Sequence, residues 1–191
     1  MQIMNRVLVD NPVRIKQIAG WGPFFLFLLH NTEEGLYMTS FAFRNQQIFP
    51  STIQHFLLQT GEANFRSATL ISLIFATLLP FLVSFYAYNK HYRGLSVYML
   101  LILYWILLIN SLQHIAGSLI LHAYSPGVIT ALLFNLPVSG LILYNSAWLF
   151  GTKRKIHLIL LPLSIIFLLL TLSFIWVSAL LIQSHIIYHT A

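Results

Sequence analysis

Two adjacent glutamates, Glu33 and Glu34, stand within an apolar stretch of this 191-residue chain and account for half of its four acidic residues. His30 precedes Glu34 by four residues, so the two side chains share one face of a helix, and Glu33 lies to the other side of His30. Ionisable residues within apolar helices are costly and mark functional sites by default. The segment therefore predicts a polar pocket beside one buried helix.

A second polar group has the same spacing much later in the chain. Asn110 and His114 are four residues apart, and His122 follows two helical turns later. Imidazole nitrogens and carboxylate oxygens on neighbouring helices suit Zn²⁺ or non-haem iron. Since the sequence has no cysteine, a metal site here must use nitrogen and oxygen ligands.

These residue types predict the parts of a metal-dependent enzyme. The predicted ligands of a divalent metal, with zinc favoured and non-haem iron as the alternative, are His30, Glu34, His114 and His122. The predicted catalytic residues are Glu33, Glu34 and Asn110, the glutamates as general base or acid and Asn110 as the group that orients a ligand or an oxyanion. Tyr124 and Ser125 are candidates for binding substrate, and an interfacial tyrosine and a helix N-cap are the structural alternatives for them.

Hydrolysis of a lipid-like or otherwise hydrophobic substrate is the predicted reaction, because a metal in such a site turns bound water into a nucleophile near neutral pH. Three other functions use the same residues. A Glu/His pair without metal would act as an acid–base isomerase, cyclase or protease-like enzyme. A proton-coupled transporter would use the groups as a relay, and a haem protein would use the histidines as axial ligands.

The composition is that of an integral membrane protein surrounded by lipid. Hydrophobic residues make up 58% of the chain and charged residues only 7%, against roughly 25% charged residues in ordinary soluble domains. The net charge of +6 is explained by the basic loops that orient membrane helices, so no nucleic-acid partner is predicted.

The apolar runs predict an all-α bundle of five transmembrane helices. The predicted spans are 18–41, 67–88, 95–121, 127–150 and 157–183, with a short interfacial helix within 45–62 after the first span. They form a single membrane domain over 18–183, between a cytoplasmic leader at 1–17 and an external tail at 184–191. Ser125 is the predicted N-cap of the fourth span, with Pro126 at its first helical position.

Basic residues predict the orientation of the bundle. Eight of the ten Lys and Arg residues lie in segments on one side of the five spans, which places the N-terminus inside and the C-terminus outside. His30 and Asn110 then lie roughly 21 and 25 Å outward from Lys16 and Arg93. The polar groups of two distant helices thus share the outer leaflet, so the site is predicted to face outward.

The remaining histidines divide between the two sides of the membrane. His55, His185 and His189 lie on the outer side and have no assigned role. His91 and His157 fall in basic loops on the inner side and are excluded from the site.

Three polar motifs in sequence order resemble those of a known family. They are His30-x-x-Glu33-Glu34, Asn110-x-x-x-His114, and His122 followed by Ser125-Pro126-Gly127. They are similar to the motifs of the bacterial membrane proteins named after the HxxEE motif, and the resemblance extends from the first span to the fourth. It implies an enzyme in the bacterial cytoplasmic membrane and names no reaction. The pattern is also similar to that of the CAAX-type intramembrane proteases, which have an EExxxR motif, but Met38 stands at the arginine position here.

Overall fold

The computed structural model describes the backbone of residues 12–190 and the side chains of 13–171, 173, 174 and 177. Most of the predicted leader and the side chains of His185 and His189 lie outside these residues. Every regular element within 12–190 is helical, as the sequence predicts. The helices are α1 (Pro12–Arg44), α2 (Ser51–Thr60), α3 (Glu62–Asn89), α4 (Leu95–Leu121), α5 (Val128–Phe150) and α6 (His157–Thr190), with 3₁₀ turns at Gln46–Ile48 and Arg154–Ile156. Residues Ala131–Asn135 form a π-helical turn within α5.

In the described part of the chain, four helices are long and apolar enough to cross a membrane, which indicates an integral membrane protein. They are α3, α4, α5 and the segment Arg154–Thr171 that enters α6. Although α1 has 33 residues, it is not among the four. The polar run from His30 to Glu34 and the basic residues near both ends of α1 lower its hydropathy. A fifth crossing by α1 therefore stays a prediction.

The helix α4 lies at the centre of the bundle, because it packs against α1, α3, α5 and α6. Leu100, Leu101, Tyr104 and Leu107 on α4 are fully buried and form the middle of the apolar core. The neighbouring helix α1 packs most extensively against α3. The two helices that carry the polar motifs, α1 and α4, are thus held beside each other.

The turn between α4 and α5 differs from the sequence prediction. Helix α4 ends at Leu121 because His122 has a left-handed backbone, with φ of 47°. Helix α5 begins at Val128, and Gly127 rather than Ser125 occupies its N-cap position. The prediction of Ser125 as the cap was wrong, since the left-handed φ of 89° at Gly127 delays the start of the helix.

Small residues let α1 approach α4 and the loop after α3. A Cβ at Gly20 would overlap the ring of Tyr92, and a Cβ at Gly22 would overlap the hydroxyl of Tyr104. Tyr104 donates a hydrogen bond of 2.6 Å to the Ala19 carbonyl. Glycine at these interfaces brings helices close together, as is common in membrane bundles.

Substitution of Gly22 by alanine tests this packing. We expect Gly22→Ala to lower the free energy of unfolding by about 1–3 kcal/mol, because Tyr104 must shift and release the Ala19 carbonyl. Gly140→Ala is the matched control, since a Cβ there would meet nothing within 4 Å. Unfolding in detergent would be measured for both variants. Equal stability of the two variants would contradict the close approach.

Candidate metal centre

Three ionisable side chains from α1 and α4 converge at one place. Oε1 of Glu34 lies 3.9 Å from Nε2 of His30 and 3.3 Å from Nε2 of His114. One ligand atom from each of the three residues lies within 4.8 Å of the others. The side chain of His30 is 1% exposed, and those of Glu34 and His114 are 14% and 13% exposed. Two imidazoles and one carboxylate form a donor set that suits zinc or non-haem iron.

The loop before α5 packs closely against the two imidazoles at Gly127. The rings of His30 and His114 meet edge to face, with centroids 4.8 Å apart. A Cβ at Gly127 would lie 2.6 Å from Cε1 of His30 and 3.1 Å from Cε1 of His114. Its positive φ also favours glycine. A side chain here would displace the imidazoles or the loop.

Glu33 faces the beginning of α5 instead of the group of three. Its Oε1 accepts hydrogen bonds from the Tyr124 hydroxyl at 2.6 Å and the Ile129 amide at 3.2 Å. Its Oε2 accepts from the amide and the hydroxyl of Thr130, at 2.8 and 2.6 Å. Four donors face this side chain, as an ionised carboxylate requires. Glu33 therefore caps α5, whose positive helix end also favours a negative charge.

Tyr124 lies in the loop between α4 and α5, with its ring against that of Tyr37. Partial desolvation, together with the hydrogen bond to the Glu33 carboxylate, raises the pKa of Tyr124 above its ordinary value, although part of the ring is exposed. The phenol therefore stays protonated and keeps donating to Glu33. Its contacts are those of a group that orders the loop.

A hydrogen-bond chain from Glu33 fixes the proton on His30. The single hydroxyl proton of Thr130 goes to the Glu33 carboxylate at 2.6 Å, a closer and charged acceptor compared with the Gly127 carbonyl at 3.1 Å. The Thr130 oxygen must then accept from Nδ1 of His30, at 2.9 Å. Nδ1 therefore carries the hydrogen, and Nε2 presents its lone pair toward Glu34 and His114. This tautomer is assigned from the network, and it is the one that metal binding through Nε2 needs.

Asn110 occupies the remaining side of His30 and borders a cavity. Its amide Nδ2 lies 2.8 Å from Nε2 of His30 and donates to that lone pair. The cavity has a volume of about 330 Å³, and its polar lining includes Glu34, Asn110, His114 and Ser125. Apolar residues such as Phe27, Ile106 and Leu168 complete the walls. The cavity has the size of a small ligand pocket.

The structure brings together four of the predicted residues, His30, Glu34, Asn110 and His114. Tyr124 reaches the site through Glu33, and Ser125 lies in the cavity wall. His122 is exposed at the end of α4 and is not part of the group, because the left-handed turn ends the helical face that the prediction extended. His55 is exposed on α2 and lies outside the group. The metal and catalytic roles stay predictions for all of these residues.

Sequence reasoning did not single out Thr130, and it included Gly127 in a motif without assigning it a role at the site. Thr130 joins Glu33 to His30, and Gly127 makes room for the two imidazoles. The Pro-Gly pair signalled a turn but not what the turn covers. Nothing local to Thr130 indicates that it contacts a carboxylate 97 residues earlier.

Substitution of the two adjacent glutamates tests their different surroundings. We expect Glu33→Gln to lower the free energy of unfolding by roughly 1–3 kcal/mol, because an amide cannot accept from all four donors. We expect Glu34→Gln to change it by less than about 1 kcal/mol, since Glu34 borders the cavity, where water can solvate the amide that replaces it, and an amide can still hydrogen-bond to the imidazole of His114. Thermal unfolding in detergent measures both, and a larger loss in Glu34→Gln would contradict the assignment of Glu33 as the cap.

Comparison with known proteins supports the resemblance that the motifs predict. No curated protein and no solved structure shows a significant match to this chain. One family model matches residues 21–142, a region that contains His30, Glu33, Glu34, Asn110 and His114. The chain therefore belongs to the family described as proteins of unknown function with an HXXEE motif.

Proposed function

We propose that this chain is a membrane-embedded, metal-dependent hydrolase that acts on a lipid-like substrate. The observation that carries the proposal is the convergence of His30, Glu34 and His114 in and beside the wall of a cavity within an apolar bundle. Catalytic zinc sites use three protein ligands and leave a further position open. The group provides three ligands, and the cavity provides space for a reacting molecule.

In this proposal His30, His114 and Glu34 hold the ion, and His122 is not required. Zinc is the favoured metal, and non-haem iron uses the same donor set. When bound, zinc would supply Lewis acidity and lower the pKa of water at the site. Glu33 and Thr130 position His30 through the hydrogen bond to its Nδ1. Outer partners of this kind set the orientation and basicity of a ligating imidazole.

Asn110 orients the substrate in this proposal. Its amide donates to Nε2 of His30 in the absence of a metal. Binding of the ion through Nε2 would release that amide, which already borders the cavity. An amide donor placed there would bind a carbonyl or an oxyanion of the substrate.

We also propose that α1 crosses the membrane, which gives five crossings with the N-terminus inside. The length of α1, about 50 Å at 1.5 Å per residue, is sufficient for a hydrocarbon core of about 30 Å. Its extensive packing against α3, a candidate span, supports a path of α1 through the bilayer alongside α3. With this orientation, the bias in loop charge supports a site toward the outer face of the membrane, which in this proposal is the bacterial cytoplasmic membrane.

A metal-independent enzyme is the second candidate, and the contact between Glu34 and His114 favours it. At 3.3 Å a carboxylate and an imidazole form an acid–base pair without any ion. Activity that persists in chelator but is lost in Glu34→Gln would support this candidate over the metal enzyme.

The other two candidates have less support. A transporter needs a polar path between the membrane faces, yet the core beside α4 is filled by Leu100, Leu101 and Leu107. A haem between two axial histidines needs space for the porphyrin, whereas the rings of His30 and His114 are in direct contact.

Zinc titration of the purified full-length chain tests the proposed function. We expect protein from which metal has been removed to take up one zinc ion per chain. His114→Ala should lose this binding, and Glu34→Gln should bind zinc at least about tenfold more weakly, because each substitution removes one proposed ligand. His122→Ala and His55→Ala are the matched controls, because both histidines lie outside the group.

Binding of zinc would be measured by competition with a chromophoric chelator. Absence of zinc binding by the unsubstituted protein would overturn the proposal. So would undiminished binding in His114→Ala, or a loss in His122→Ala equal to that in His114→Ala.

Single cysteines test the proposed topology, and the absence of cysteine from the sequence makes each label specific. We expect a membrane-impermeant maleimide added to intact cells to label Gln47→Cys, in the segment after α1, and to leave Val13→Cys unlabelled until the cells are opened. Lys153→Cys is a further inner-side control. Labelling of Val13→Cys and Gln47→Cys from the same side would mean that α1 does not cross.

A further inference from the structure

A groove runs along the surface where α1 packs against α3. Its volume is about 670 Å³, and its walls are mainly apolar side chains, namely Phe24, Leu28, Leu36, Leu70, Ile74 and Phe81. Several of these side chains are exposed. In a membrane protein such a groove faces lipid, so its natural occupant is a hydrocarbon chain.

The dimensions of the groove suit one lipid chain. Phe24 and Leu36 are twelve residues apart on α1, a distance of roughly 18 Å along the helix. One leaflet contributes about half of a hydrocarbon core of about 30 Å, so the two lengths are comparable. Gly35 keeps the outer part open, because a Cβ there would already lie 3.5 Å from Leu70 and Leu73.

The groove adjoins the cavity of the candidate metal centre. Asn31 and Leu73 line both spaces. Asn31 is buried, and its amide donates to the Thr77 hydroxyl at 2.8 Å and to the Leu73 carbonyl at 3.4 Å. The side chains of Asn31 and Leu73 therefore separate a hydrocarbon chain in the groove from the cavity that Glu34 lines.

Arg66 provides a positive charge at one end of the groove. It is exposed, and the ion pairs formed by the described side chains do not include it. Arg66 lies seven residues before Leu73 on α3, or roughly 10 Å along the helix. Guanidinium groups bind phosphate through paired, charge-assisted hydrogen bonds.

We propose that the groove binds an acyl chain of a glycerophospholipid with an anionic headgroup, whose phosphate contacts Arg66. The inference rests on the proposed function, because it names the substrate class of the same site. In such a lipid the acyl ester lies on the hydrocarbon side of the phosphate, which matches the order of Arg66 and the Asn31–Leu73 wall along the groove. Hydrolysis breaks the bond between the acyl carbon and the alkoxy oxygen. Water gives its hydroxyl to the acyl carbon and its remaining proton to the alkoxy oxygen, and the products are a fatty acid and a lysolipid.

Photo-crosslinking of the purified full-length chain tests the groove. The probe is phosphatidic acid with a diazirine in one acyl chain, and modified peptides are identified by mass spectrometry. We expect adducts on groove residues of α1 and α3, suppressed by unlabelled phosphatidic acid but not by inorganic phosphate. Diacylglycerol with the same labelled chain should give weaker labelling of the groove, because it has no charge for Arg66.

Two variants and two matched controls accompany the probe. We expect Arg66→Gln to reduce labelling of the groove about tenfold, the effect of losing one charge-assisted hydrogen bond, whereas Arg44→Gln, an exposed cation at the end of α1, should not. Gly35→Leu fills the groove and should abolish this labelling, while Gly140→Leu, where nothing lies within 4 Å, should not.

Failure of the groove is distinguishable from failure of the metal site. Labelling that is unchanged in both Arg66→Gln and Gly35→Leu, or that is absent from α1 and α3, overturns the groove even when zinc binds. Groove labelling that persists in Glu34→Gln supports the groove even when that variant binds no zinc. Release of fatty acid from phosphatidic acid by the zinc-loaded protein, lost in Gly35→Leu but kept in Gly140→Leu, supports the groove as the substrate site.

Discussion

The carboxylate of Glu33 at the amino end of α5 is the interaction on which the rest of the site depends. A buried carboxylate is costly unless donors surround it. Here two backbone amides, one hydroxyl and one phenol provide four hydrogen bonds. These bonds join α1, the loop after α4 and α5. They also give Thr130 its acceptor, and through Thr130 they determine which nitrogen of His30 carries the hydrogen.

The two adjacent glutamates differ because consecutive helical residues point about 100° apart. Glu33 turns toward the backbone amides in the first turn of α5, and Glu34 turns toward His114 on α4. His30 lies one turn away from Glu34 and contacts both groups of residues. Its Nδ1 bonds to Thr130, which bonds to Glu33, and its Nε2 bonds to Asn110 beside the candidate metal centre. The spacing of the HXXEE motif thus lets Glu33 hold the start of α5 in place while Glu34 faces the two histidines as a candidate metal ligand.

Sequence reasoning predicted the all-helical fold from the lengths of the apolar segments. It predicted that His30, Glu34 and His114 lie together from the one-turn spacing within each motif and from the similar depth of the two motifs in the bilayer. The predicted bounds 95–121 match those of α4. His122 was assigned to the group by extending the same periodicity beyond Leu121, where the left-handed turn ends it. Glu33 was predicted to be catalytic and not to cap α5, since its partners at Ile129 and Thr130 are more than ninety residues away. Contacts of that kind follow from how the helices pack, which local spacing does not specify.

The central claim is that two imidazoles and one carboxylate form a metal site on α1 and α4. X-ray absorption at the zinc edge of the zinc-loaded full-length chain measures the ligands directly. The account predicts two imidazole nitrogens at about 2.0–2.1 Å together with oxygen ligands, and a spectrum unchanged in His122→Ala. Three imidazoles that fall to two in His122→Ala, or a shell of oxygen alone, would contradict it.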